Sequence, residues 1–85
     1  MGANYLFPFM NYDYKYATDF SKCLYNGVYQ MGADIATDGP NVMCYGVLFV
    51  LRTSSYKVQQ FFDLINSKIY VRTFSSSIWT TWREI

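Results

Sequence analysis

Histidine is absent from this chain, and charge is scarce. Losing histidine removes the commonest general base at neutral pH and the commonest nitrogen ligand for metals. Cys–His and Ser–His–Asp catalytic arrangements are excluded with it. Ser-Lys steps occur at Ser21-Lys22 and Ser67-Lys68, but adjacent residues in turn-like sequence do not make a catalytic pair. Charged residues are 15% of the chain, against about a quarter in ordinary soluble domains. Seven basic and six acidic residues are scattered to a net charge of +1, with no block of one sign. That pattern leaves no electrostatic footprint for nucleic acid or an anionic membrane. The longest apolar run, Tyr45–Leu51, is too short to span a bilayer, and no membrane insertion is expected. The opening residues lack the basic start and apolar core of a signal peptide, and Leu6 stands where a myristoylation signal needs Ser or Thr. Cysteine is limited to Cys23 and Cys44, which fit no metal-ligand spacing and are expected as free buried thiols. Asp34 and Asp38 share a loop without the ligand density of a calcium site, and no Gly-rich phosphate loop occurs. No catalytic residue, metal or cofactor is expected, and the chain does not read as an enzyme.

Aromatic residues are what the chain has in excess: nine Tyr, seven Phe and two Trp, 21% of 85 residues. A domain of this size buries only about 60% of its unfolded surface. So much aromatic area with so little charge implies tyrosines facing water or a surface covered by another chain. Tyr and Trp also dominate recognition surfaces, because each pairs a stiff apolar face with a polar handle.

The strand signals run in series. In "NYDYKY" the residues Tyr12, Tyr14 and Tyr16 alternate with polar ones, which suits an extended arm. Thr18 or Asp19 is placed to cap a short helical turn carrying Phe20, Cys23 and Leu24 on one side, stopped by Asn26-Gly27. Val28–Met31 is a short strand candidate, and Gly32–Met43 is a loop turning at Asp38-Gly39-Pro40. Gly46–Thr53 is apolar on both faces and predicts a central strand covered on both sides. Tyr56–Leu64 and Lys68–Phe74 alternate and form a hairpin, with a two-residue turn at Asn66-Ser67 that sets Ile65 opposite Lys68. In that register Val58, Phe62 and Leu64 share a face with Ile69, Val71 and Thr73. Lys57, Gln59, Phe61, Asp63, Tyr70, Arg72 and Phe74 take the other, expected to face solvent or a neighbour. Trp79 and Trp82 are three apart and would point to opposite faces of a regular strand; core packing with a β-bulge would return both to one side.

The expected fold is mainly β (small α+β): an antiparallel β-meander of about four to five strands with a short N-terminal helical turn packed on one side. Residues 1–17 are expected as an arm or linker and 18–85 as the domain.

The order of motifs resembles the pyocin and bacteriophage tail-fibre knob domain. "DFSKCLYNGVYQM" is similar to its Asp-Leu-Asn…Gly-x-Tyr opening, and "GPNVMCYGVLFVLRT" to its Pro…Tyr-Gly-x-Leu-x-Val segment. "KVQQFFDLINSKIYVRTFSSSIWTTWREI" is similar to its Val-Gln-Gln…Ile-Tyr-x-Arg…Trp-x-x-Trp ending. The resemblance runs from about Thr18 to Ile85. Ser21 departs from the usual Asn, and Ser75–Ser77 from a turn rich in Gly or Asn. The resemblance implies a small module of a phage or phage-tail-like fibre or appendage, made in the bacterial cytoplasm and carried on the virion. It implies a homo-oligomer, a trimer, in contact with other fibre segments and with a host-surface glycan or protein. Tyr70 and Arg72, with Lys57 and Gln59, are then the expected ligand-binding face. Trp79, Trp82, Tyr12, Tyr14 and Tyr16 are the expected structural or subunit-contact residues. The alternative is a purely structural connector or oligomerisation module without its own ligand.

Overall fold

The computed structural model describes residues 16–85. Its order is a 3-10 turn (Phe20–Lys22), β1 (Gly27–Ala33), β2 (Cys44–Arg52), β3 (Lys57–Asp63), β4 (Lys68–Ser75), β5 (Ile78–Trp79) and β6 (Arg83–Glu84). The strands form one antiparallel sheet in chain order, with β5 and β6 both paired to β4. The chain is mainly β, a meander with a single short helical turn, as its sequence predicts.

Each junction has a local cause. Asp19 caps the 3-10 turn by accepting the Ser21 N–H at 2.9 Å. The Asn26 side chain accepts the Arg52 N–H at 2.7 Å, tying the start of β1 to the end of β2. Between β3 and β4, the Asp63 carboxylate accepts the backbone N–H groups of Ile65 at 2.9 Å and Asn66 at 3.2 Å. That cap makes the turn Leu64–Ser67 and sets Asp63 opposite Lys68, two residues from the expected pairing of Ile65 with Lys68. The face-sharing is unaffected, since a two-residue slip preserves the alternation. Gln59 still pairs with Arg72, and Phe61 with Tyr70.

Which face is buried is the larger correction. Phe20, Cys23, Met31, Cys44, Leu48, Val50 and Phe61 form the core. They place Gln59, Phe61, Asp63 and Arg72 inward. The Val58, Phe62, Ile69 and Val71 side of the hairpin lies on the outer face with Tyr45, Val47, Phe49 and Leu51. The inner face is covered by the 3-10 turn and its flanks and by Trp82; among the described residues the outer face stays largely open, with Phe49 at 41% and Leu51 at 49% exposure. The expectation that β2 is covered on both sides is therefore met on one side only. Its apolar alternation serves two surfaces, one sealed within the chain and one that the described residues leave largely open.

The N-terminal part of the described chain runs parallel to β1. Ala17 N–H donates to the Gln30 carbonyl at 2.7 Å, and Gly32 N–H to the Ala17 carbonyl at 2.9 Å. Tyr16 is exposed, its ring seated over Gly32, where any Cβ would collide with it. Tyr12 and Tyr14 lie outside the described residues. Gly46 is similarly pinned, as a Cβ there would fall on the Phe62 carbonyl oxygen and against the Phe61 ring.

Candidate functional site

Arg72 is the centre of the most elaborate side-chain cluster. It leaves β4 on the inner face and is 3% exposed. Its Nε–H donates to Gln59 Oε1 at 2.7 Å, and its Nη1 to Asp38 Oδ2 at 2.8 Å. The indole rings of Trp79 and Trp82 lie 4.2 Å and 4.7 Å from the guanidinium carbon, so the cation is held against two aromatic faces. Nη2 has no hydrogen-bond partner among the described residues. A buried charge needs such compensation, because desolvation alone costs several kcal/mol.

The backbone brings the two tryptophans to one side. Trp79 pairs with Phe74, and Arg83 with Val71. Four steps along the last strand segment thus match three along β4, the register shift of a β-bulge, with Thr81 and Trp82 together opposite Arg72. Thr80 bridges the interruption by donating its N–H to the Thr73 carbonyl at 2.8 Å and accepting the Thr73 N–H on Oγ1 at 3.0 Å. Trp82 then donates its Nε1–H to the Asp38 carbonyl at 3.0 Å and packs edge-on against Phe20. Asp38 sits at φ 61, in the left-handed region that Asp tolerates better than most residues, and so offers carboxylate and carbonyl to the same cluster.

Gln59 is fully buried, and its Nε2 donates to the carbonyls of Phe20 at 2.7 Å and Cys23 at 2.8 Å. It satisfies the open end of the 3-10 turn while its Oε1 holds Arg72. The chain from turn to sheet to loop is thus one connected polar network.

Gln59 and Arg72 do not form the exposed ligand-binding face expected of them, because inward-facing partners absorb their polar atoms. Tyr70 is half-buried against the core, its hydroxyl 3.3 Å from Asn41 Nδ2. Lys57 is likewise half-buried, with Nζ 3.8 Å from the centroid of the Phe74 ring. Phe74 in turn tilts against Trp79 at 5.2 Å. The accessible margin of the cluster is therefore Lys57, Phe74, Trp79 and the half-exposed Asp38 carboxylate. A shallow notch of about 320 Å³ opens beside the bulge, lined by Thr80, Thr81, Trp82 and Arg83 among others. Sequence reasoning missed Phe74 and Asp38. Phe74 was legible as the cross-strand partner of Trp79 across the short Ser75–Ser77 turn, while Asp38 is brought in by loop geometry alone.

Three further ionisable groups have perturbed surroundings away from this cluster or at its edge. The Tyr45 hydroxyl donates to Asp34 at 2.6 Å, and that carboxylate acceptor raises its pKa. Cys23 and Cys44 are free buried thiols. Burial pushes Cys23 up to about 11, with Asp19 adding to the shift and Arg72 opposing it. Burial likewise raises Cys44. Among the described residues no group of three or more His, Cys, Asp or Glu comes together. No helix of the described residues is long and apolar enough to cross a membrane.

No protein-family model, curated protein or solved structure matches the chain. The tail-fibre resemblance stands on the motif residues alone.

Proposed function

We propose that this chain is a non-enzymatic module of a phage or phage-tail-like fibre or appendage, held against other protein and contributing to contact with a host-cell surface. The observation that carries this reading is the apolar outer face of the sheet, left largely open by the described residues. A small domain whose outer face is this apolar presents a surface of the kind that meets other protein. The motif order supports the same reading, since the residues that carry it each have a structural task. Gly46 admits Phe61, Gln59 closes the 3-10 turn, and Trp79 and Trp82 clamp Arg72.

Contact with a glycan or protein receptor then falls on the margin of Lys57, Phe74, Trp79 and Asp38. Aromatic faces there stack on sugar C–H groups, and the ammonium and carboxylate pair with hydroxyls. The test is adhesion of labelled protein to a panel of bacterial cells and purified surface polysaccharides. Adhesion lost in Lys57→Ala with folding intact, and no release of reducing ends, is the expected result. A purified chain that shortens polysaccharide would sink the non-enzymatic reading.

The burial of Gln59 and Arg72 favours a second reading, a structural connector with no ligand of its own. It predicts blank adhesion for the wild-type protein, with the outer face still occupied in the assembly.

A further inference from the structure

One end of the sheet gathers a row of side chains that no single stretch of sequence displays. Arg52 at the end of β2 pairs with Lys57 at the start of β3, Lys57 with Phe74 of β4, and Phe74 with Trp79 of β5. Arg52, Lys57 and Phe74 share the parity of Val50, Gln59 and Arg72, which puts the row on the inner side, past the sealed core. Tyr25 extends the row beyond Arg52, its ring centroid 5.0 Å from the guanidinium carbon. At one strand spacing per step, the paired positions alone cover about 14 Å.

Arg52 and Lys57 are the anomaly in this row. Two like charges directly opposite one another on neighbouring strands repel, unless a carboxylate relieves them. Among the described residues none does: the ion pairs are Arg72 with Asp38 and Lys68 with Glu84. The two cations instead lean apart, Arg52 over Tyr25 and Lys57 over Phe74. Local contacts fix that arrangement. Arg52 Nη1 donates to the Leu24 carbonyl at 3.2 Å, and the Tyr29 hydroxyl donates to the Tyr25 carbonyl at 2.9 Å. Both cations are half-exposed, so the positive space between them opens to solvent with aromatic faces at either side.

We propose that an anionic group of a saccharide, a carboxylate or a phosphate, binds between Arg52 and Lys57. Neighbouring sugar rings then stack on Tyr25 to one side and on Phe74 and Trp79 to the other. The proposal rests on the receptor-contact reading above and names the chemistry of the ligand. An anion placed there gains charge-assisted hydrogen bonds and also removes the repulsion between the two cations. Tyr25, at 70% exposure, presents the kind of stiff apolar face that sugar C–H groups cover. The Asp38 carboxylate near the Trp79 end is matched by Arg72, so it does not cancel the pair. A nucleic-acid strand would need a basic track along its backbone, and two cations do not make one.

The test is calorimetric titration of the full chain with oligogalacturonate, a mannose oligosaccharide bearing phosphate groups, and a neutral maltooligosaccharide. At least one acidic probe is expected to bind about tenfold tighter than the neutral one, and to weaken in high salt. The preference between the two identifies the anion. Arg52→Gln and Lys57→Gln should each weaken acidic binding about tenfold with unchanged circular dichroism, as loss of one charge-assisted hydrogen bond does. Lys68→Gln removes the same charge at the opposite end of the sheet and should bind as wild type. Hydroxyl-radical footprinting of wild type covers the case in which a variant misfolds. The acidic probe should protect Tyr25 and Trp79 and leave Tyr45, on the outer face, unchanged. Equal affinity for the neutral probe overturns the proposal, as does acidic binding that neither substitution weakens or tighter binding of a single-stranded oligonucleotide. If no oligosaccharide binds while the protein still adheres to cells, the anion site is refuted and the receptor reading stands. Acidic binding with the expected losses but without adhesion to cells supports the site and refutes the receptor reading.

Discussion

The Arg72 Nε–H meets Gln59 Oε1 at 2.7 Å inside a sheet face where neither side chain reaches water. Two residues with long polar side chains thus hold positions that apolar residues fill elsewhere in the core. They are stable there only as a pair, because each satisfies groups the other leaves open.

Breaking that pair should be costly from either end. Gln59→Leu orphans the Phe20 and Cys23 carbonyls as well as the Arg72 Nε–H. It is expected to lower stability by about 3 kcal/mol. Arg72→Lys keeps the charge but loses the planar fork and the double stacking, at a cost of about 3 kcal/mol or more. Urea unfolding followed by circular dichroism measures both. Loss under 1 kcal/mol in either variant would contradict the network described here.

Trp82→Phe separates the hydrogen bond from the aromatic packing. It removes the Nε1–H to the Asp38 carbonyl and weakens the cation–π contact, with an expected loss of about 1–2 kcal/mol. Trp79→Phe, which forfeits no hydrogen bond among the described contacts, should cost less. Equal losses would mean that stacking alone fixes the last strand segment.

The turn between β4 and β5 is strained by its own sequence. Ser76 at φ 53 and Ser77 at φ 65 both occupy the left-handed region, as a two-residue hairpin turn of this hand requires. Asn-Gly suits those angles, so Ser76→Asn with Ser77→Gly should stabilise the protein by about 1 kcal/mol. A thermal melt of the double variant decides this, and a lower midpoint would contradict the turn geometry.

The Cys23 thiol gives stability a pH dependence of known sign. Its folded pKa of about 11 lies above the ordinary 9.0, so the folded protein holds this proton more tightly than the unfolded chain. The contribution is complete below pH 9.0 and is lost as pH rises through about 11. Tyr29 and Cys44, also raised, act in the same direction. The comparison is therefore wild type against Cys23→Ala, whose urea midpoint should fall less steeply across that window. Ellman's reagent should modify Cys23 only after unfolding.

Much of the architecture was legible in the sequence because it is local. The four longer strands, the Asp38-Gly39-Pro40 loop, the pairing parity of β3 with β4 and the bulge between the tryptophans all follow from spacing and turn residues. What was not legible is which face points inward. Both faces carry apolar residues, and the polarity of Gln59, Asp63 and Arg72 suggests an exposed surface. The decision comes from Phe20, Asp38 and Trp82, distant in sequence, which bring the hydrogen bonds that make those polar residues acceptable inside. Phe61, a large apolar residue on the same face as Gln59 and Asp63, was the local sign of the true orientation.

The Gln59 contact with Phe20 spans 39 residues, and the Trp82 contact with Asp38 spans 44. The meander itself grows by neighbouring hairpins, so its strands can form in the order they leave the ribosome. The turn that covers them is synthesised first and secured last. During synthesis its carbonyls must remain with water until β3 emerges, and the clamp around Arg72 closes only after Trp82 is out. A chaperone that recognises unsealed apolar sheet would therefore find this chain open for most of its translation.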